Sequence, residues 1–286
     1  MSLTSFLKTE EARGLFKEFP NVKNHLVECN GAPSKRVSLT IPRLNGANPA
    51  IVGTAYDFCC RAITQRVNGI LIEEELSPVL DSGLQVIAAY GLAESIEELE
   101  QFRKLISELW KTRIDFIKGK SLSTMQLAIG ALRMAQVEQA YRSGRLISNP
   151  CTSENVNDLC NLINASLESR LLRTNQKMYM NPSFGYHSLL VGGADADMVF
   201  GTTLIDIKTT VYTTNFQEYF EQLFGYYLLS EFDKTFETSL QNLAVYLPRF
   251  DALYYLSISV LRGLIDIDAF AKQFLELIEE YDVNGY

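Results

Sequence analysis

The apolar positions of this 286-residue chain change period near its middle. Over 5–18 they recur at helical spacing and predict a short N-terminal helix. Irregular chain follows to residue 50, broken by Gly31, Pro33, Pro42, Gly46 and Pro49. In 54–68, Tyr56, Cys59, Cys60, Ile63 and Val67 fall three and four apart on one helical stripe. Residues 81–145 read as helix over 83–91, 96–117 and 122–143. The second of these carries Ile96, Leu99, Phe102, Leu105, Ile106, Leu109 and Trp110 at helical spacing, a pattern of core packing. Gly144 is a helix stop and Asn149-Pro150 a turn. Ser153 is expected to cap the next helix, which buries Val156, Leu159, Cys160, Ile163, Leu167 and Leu171.

Beyond that helix the pattern turns strand-like. Strands are expected over 184–191, then a hairpin around Gly201-Thr202, a helix over 216–232, strands over 242–248 and 253–258, and a closing helix over 266–280. Gly192-Gly193 reads as a strand bend or bulge. The N-terminal part thus reads as a helical region, 1–152, and 153–286 as an α/β core.

The hairpin carries the chemistry. With Gly201 and Thr202 as a two-residue turn of the Gly-X type, Phe200 pairs with Thr203, Val199 with Leu204 and Met198 with Ile205. Asp197 then falls opposite Asp206, and Asp195 opposite Lys208. Side chains alternate between faces, so Asp195, Asp197, Asp206 and Lys208 share one face while Ala196, Met198, Ile205 and Ile207 share the other. Facing carboxylates repel unless a positive charge lies between them. A hard divalent cation, the Lys208 ammonium, or both meet that need. Such a group beside two carboxylates is equipped to activate water and to neutralise a phosphoryl group.

These residues resemble the PD-(D/E)XK nuclease superfamily, whose signature is an Asp on one strand and (Asp/Glu)-x-Lys on the next. Asp197 matches the first position and Asp206-Ile207-Lys208 the second. Gln222-Leu223-Phe224-Gly225-Tyr226 is similar to the Gln-x-x-x-Tyr motif of the RecB and lambda-exonuclease branch. Gly53-Thr54-Ala55-Tyr56-Asp57 is similar to the Gly-Thr-x-x-His element that opens that branch, with Asp57 in place of His and Arg61 where Glu is frequent four residues on. The likeness spans the chain from Gly53 to Arg249, with a long helical insertion. It implies an α/β restriction-endonuclease-like core, a mixed central sheet flanked by helices, here with a large N-terminal helical elaboration that includes the upstream element at 53–68.

The resemblance further implies a nuclease that hydrolyses DNA phosphodiester bonds with Mg²⁺, or Mn²⁺ in its place. Asp197, Asp206 and the Ile207 carbonyl would hold the cation. Lys208 would orient or deprotonate the attacking water or stabilise the transition state. Asp195 is left between two roles, a second cation or a hold on Lys208. Gln222 and Tyr226 would position the substrate strand. Arg173 and Lys177 cluster with Arg170 before the strands, as either a solvated helix end or a phosphate-contacting rim, and Arg249 is a similar case. The competing reading is a nuclease-fold module that binds nucleic acid in a defence or repair assembly with weak or no cleavage.

Composition narrows the setting. Apolar residues make up 47%, and no run reaches the roughly eighteen that span a bilayer. No membrane association or secretion signal is expected, and the location expected is cytoplasmic. The five cysteines, Cys29, Cys59, Cys60, Cys151 and Cys160, have no Cys-x-x-Cys pair, which points to reduced thiols rather than zinc. With only His25 and His187, a His-paired nucleophile or a His-rich metal site is hard to build. His187 is expected in a strand, with a local hydrogen bond. The net charge of −8 argues against a protein that coats DNA. The helices of 81–145 would suit a protein partner or self-association.

Overall fold

The structure is a computed structural model that describes residues 2–28, 39–72, 78–93, 95–120 and 122–283. Gly31, Pro33 and Cys29 lie outside these residues. The chain begins with α1 (Leu3–Phe6) and α2 (Glu10–Phe16), and β1 (Val27–Glu28) follows. Four long helices come next: α3 (Pro49–Val67), α4 (Pro78–Ala89), α5 (Ile96–Ile117) and α6 (Thr124–Ser143). After α7 (Ser153–Glu168) come β2 (Met178–Met180), α8 (Gly185–Leu190), β3 (Met198–Phe200), β4 (Thr203–Ile207), α9 (Phe216–Asp233), β5 (Asn242–Leu247), β6 (Ala252–Ser257), α10 (Ile258–Leu264) and α11 (Ile267–Val283).

Strands β2 to β6 form a mixed sheet in the order β6-β5-β4-β3-β2, and the two-residue β1 extends the β6 edge. Among the described residues only β4 and β5 run parallel. That pair is joined through α9, since parallel neighbours need a crossover rather than a tight turn.

Alternation along the strands assigns two cores to the two faces. Met198, Phe200, Ile205, Ile207, Ala244 and Tyr246 join the helical layer of α3 to α7. Val199, Leu204, Leu243, Val245 and Leu247 join the layer of α9 and α11, together with Leu3, Phe6 and Phe16 from the first two helices. The sheet is therefore covered on both sides. The result is an α/β protein with a mixed sheet flanked by helices, as expected.

The helix over 96–117 matches α5, and those over 54–68, 216–232 and 266–280 match α3, α9 and α11 to within a few residues. Three details differ. The helix over 5–18 is split, and Thr9 restarts it by accepting the Ala12 N–H at 3.3 Å. Thr152, not Ser153, caps α7 by accepting the Asn155 N–H at 3.2 Å. The expected strand over 184–191 is instead the short helix α8 (Gly185–Leu190), and the third strand is β2. A short apolar run does not distinguish strand from helix by period. Here Asp233 of α9 tips the balance, its carboxylate accepting both the His187 backbone N–H and Nδ1 at 3.0 Å.

Candidate functional site

The hairpin register is the expected one: Phe200 pairs with Thr203, Val199 with Leu204 and Met198 with Ile205. Gly201 takes φ +57° while Thr202 stays at negative φ, which suits a Gly-X turn. The β3–β4 ladder ends at Met198. Beyond it the chain stays with the β2 side: Asn181 N–H donates to Asp197 O at 2.9 Å, Ala196 N–H donates to Pro182 O at 3.1 Å, and Asp195 bridges Ser183. β4 runs on along β5.

The two strands thus part, and the gap between 194–197 and 206–208 is a cleft of about 330 Å³. The expected continuation of the register is corrected here: the ladder pairs neither Asp197 with Asp206 nor Asp195 with Lys208, and Asp195 bridges Ser183 on the β2 edge. Ala196 packs in the α9-side core, apart from Met198, because strict alternation stops with the ladder. Gly192 and Gly193, at φ +77° and +106°, form the turn after α8 that leads the chain into the cleft wall. They bend a helix exit rather than a strand.

Asp197, Asp206 and Lys208 meet in this cleft. Asp197 Oδ2 accepts the Ile207 N–H at 2.6 Å, so its carboxylate replaces the ladder bond that β3 no longer makes. Lys208 Nζ donates to Asp206 Oδ1 at 2.9 Å and lies 2.7 Å from Oδ2, which still lacks a partner in hydrogen-bond geometry. Lys208 also donates to Gln222 Oε1 at 3.2 Å and stands 5.4 Å from the centre of the Tyr219 ring. Gln222 Nε2 in turn donates to Tyr226 OH at 2.9 Å and Thr4 Oγ1 at 3.2 Å. With both amide hydrogens engaged, the amide oxygen is left for the lysine.

Tyr226, one turn after Gln222, stacks on Phe184 with ring centres 5.3 Å apart. The helix-face relation between Gln222 and Tyr226 read from the sequence is therefore present, and it leads to the lysine.

The upstream element arrives on α3. Thr54, Asp57 and Arg61 all line the cleft, and Arg61 NH1 lies 3.9 Å from Asp197 Oδ1. Glu138 and Arg142 of α6 form the far wall, paired at 2.5 Å, and Ser2 and Thr4 close another side. These last four were not singled out from the sequence. The Glu138–Arg142 spacing of four, with Glu138 buried in an apolar stripe, is the one signal that points to them.

Arg173 and Lys177 do not line the cleft: Arg173 donates to the Val67 carbonyl at 3.0 Å, and Lys177 pairs with the exposed Glu237 at 2.6 Å. His187 belongs to α8 and its Asp233 bond. Cys59 and Cys60 are buried as small apolar groups, and burial holds both thiols well above the usual thiol range.

Electrostatically the cleft is crowded with acids: five carboxylates line it against three basic side chains. Burial, then Asp197, pushes Asp206 up to about 6 despite Lys208. Burial and the Asp197 charge also raise Asp57 well above the carboxylate range. Asp195 is raised by burial, which Arg142 and Arg61 partly offset. Burial alone would lower Lys208, but Asp206 and Asp197 outweigh it and hold the ammonium charged.

The donor set suits a hard divalent cation. Asp206 Oδ2 is buried without a hydrogen bond, Asp197 lies beside it, and Ile207 adds backbone to the lining. Among the described residues no group of three or more His, Cys, Asp or Glu side chains is arranged to hold a metal. A two-carboxylate site completed by backbone oxygen and water is the arrangement Mg²⁺ accepts.

Fold and cleft together define an α/β protein with a recessed, acid-rich site where two strands of a hairpin part. Comparison with family models, with curated proteins and with solved structures finds no match for this chain. Among the described residues no helix is long and apolar enough to cross a membrane.

Proposed function

We propose that the protein is a metal-dependent nuclease of the PD-(D/E)XK kind, with a restriction-endonuclease-like core, hydrolysing DNA phosphodiester bonds. One observation carries this reading: a partly exposed lysine held on the buried Asp206 beside Asp197, inside a cleft that also contains Arg61 and Arg142. A structural ion pair has no need of a second carboxylate and an open cleft.

Asp197 and Asp206 would hold Mg²⁺ or Mn²⁺, with the Ile207 carbonyl as a third protein oxygen. When bound, the cation supplies charge neutralisation at the phosphoryl group and a more acidic water. Lys208 has three ammonium hydrogens, and Asp206 and Gln222 take two. The third is available to a water or to a phosphoryl oxygen whose charge grows as the P–O bond to the leaving group breaks. Gln222 gives the ammonium a second acceptor besides the carboxylate. The proton released by the attacking water passes to solvent or to the leaving oxygen.

The test is single-turnover cleavage of labelled DNA with Mg²⁺ and with Mn²⁺. Wild type is expected to cut, and Lys208→Ala to cut at least about a hundredfold more slowly with little change in binding.

A second reading has its own observation. Arg61 already places positive charge 3.9 Å from Asp197, part of what a cation would otherwise supply there. Wild type that binds DNA or RNA yet cleaves neither under both metals would favour that module.

A further inference from the structure

The walls of the cleft restrict what can reach Lys208. Asp206 exposes 6% of its side chain, Asp197 19% and Lys208 24%, so the reacting groups lie below the surface. The volume of about 330 Å³ is at the lower end for pockets that enclose one small organic ligand, roughly the room of a nucleotide unit.

The wall formed by the N-terminal segment is anchored. Leu3 is fully buried and Phe6 nearly so, against α9 and α11. The Leu3 N–H donates to Gly193 O at 3.0 Å, and Thr4 accepts from Gln222. Gly225 makes room for this docking, since a Cβ there would stand 3.1 Å from Leu3 Cδ2. Moving this wall aside would expose two large apolar side chains, so it behaves as fixed structure.

Charge acts in the same direction. Duplex DNA carries a phosphate charge about every 1.7 Å of axis, twice the density of one strand. A cleft with more carboxylates than cations penalises the denser polyanion more.

We propose that this cleft admits a single nucleic-acid strand, or an overhanging or frayed end, and rejects an intact duplex. The chemistry at Lys208 rests on the nuclease reading above, whereas strand selectivity rests on the walls. Arg142, half-exposed on the far wall beside its Glu138 partner, is the group placed to meet a backbone phosphate as the strand enters.

The experiment compares a labelled single-stranded oligonucleotide with a duplex of the same sequence closed by hairpins at both ends. Binding is read by fluorescence anisotropy in Ca²⁺, and cleavage in Mg²⁺. The single strand is expected to bind at least about tenfold more tightly and to be cut at least about a hundredfold faster. Arg142→Glu is expected to weaken single-strand binding about tenfold while thermal melting shows a folded protein. Equal binding or equal cleavage of the closed duplex overturns the proposal, as does Arg142→Glu that binds like wild type. Preferential single-strand binding without cleavage of any nucleic acid sustains strand selectivity and removes the nuclease reading. Absence of binding to either probe removes both.

Discussion

Two acid–base pairs built on buried carboxylates have opposite characters. Asp158 of α7 and Arg249, after β5, meet in the helical core at 2.6 Å with 0% and 1% of their side chains exposed. Every strong group there is matched. The guanidinium donates to both Asp158 oxygens, to Thr209 O and to Ile41 O, and Asp158 also accepts the Leu44 N–H at 3.0 Å. Asp206 and Lys208 are nearly as close, but their surroundings are not matched. Asp57, Asp195 and Asp197 share the cleft, Asp206 Oδ2 lacks a hydrogen bond, and the carboxyl is pushed up to about 6.

The lesson concerns what a buried charge signifies. A pair whose partners are fully satisfied ties segments together, here the loop at Ile41–Leu44, α7 and the end of β5. A pair left under-compensated in an open cleft favours binding an additional charge. It also settles Arg249, which read from the sequence as either rim or structure: it is structure.

The largest way to break this comparison is at the matched pair. Arg249→Met leaves Asp158 buried and uncompensated, and chemical denaturation is expected to show a loss of about 3–5 kcal/mol. A loss under about 1 kcal/mol would mean that the pair does not hold the fold.

Lys208→Met is expected to cost much less in stability, because Asp206 can take up a proton and the lysine is partly exposed. Its deficit should shrink as pH falls toward about 6, because without the ammonium Asp206 takes up its proton at a higher pH than in the wild type. A deficit that stays constant from pH 5 to 8 contradicts this. On the proposed nuclease reading, turnover is by contrast expected to fall at least about a hundredfold and Lys208→Arg not to restore it, since a wide guanidinium replaces a compact ammonium.

Asp206 sharpens the contrast through pH. Its folded pKa lies above the ordinary value of 3.8, so the folded protein binds the proton more tightly than the unfolded chain. Stability attributable to Asp206 is therefore greatest at low pH and declines as pH rises from about 4 to about 6. Asp206→Asn is expected to flatten that slope in metal-free buffer and to abolish cleavage. Unfolding curves across this range check the first, and an unchanged slope would show that Asp206 does not carry the strain.

Smaller effects come from the support around the lysine. Gln222→Leu removes the second acceptor of Lys208 and is expected to lower kcat about tenfold with KM nearly unchanged. A change confined to KM would place Gln222 on the substrate instead. Smallest is Lys177→Ala, which breaks an exposed pair with Glu237: stability should move by less than about 0.5 kcal/mol and cleavage not at all. A loss of cleavage would restore that residue to a substrate rim.

Much was legible in the amino-acid order. Helical stripes placed α5 and all but the first turn of α3, because long amphipathic stripes repeat the same signal over many turns, and α9 and α11 also fall within the expected helices to a few residues. Gly201-Thr202 set the hairpin register, since turn length and alternation admit few pairings. That register put Asp197, Asp206 and Lys208 on one face.

Tertiary structure decided what this face became. The register does not say where the ladder stops: it stops at Met198, while residues 195–197 stay with 181–183 on the β2 edge. That departure moved Asp195 and Ala196 from their expected places and opened the cleft. The expected strand over 184–191 became α8 because a carboxylate from α9, over forty positions away, meets the His187 backbone. Arg142, Glu138 and Thr4 reach the site from α6 and the segment at α1, and beyond the Glu138–Arg142 spacing their local sequence does not point to it. Local order encodes periods and turns. Which distant charges come to share one volume is settled only when the helical layers close on both faces of the sheet.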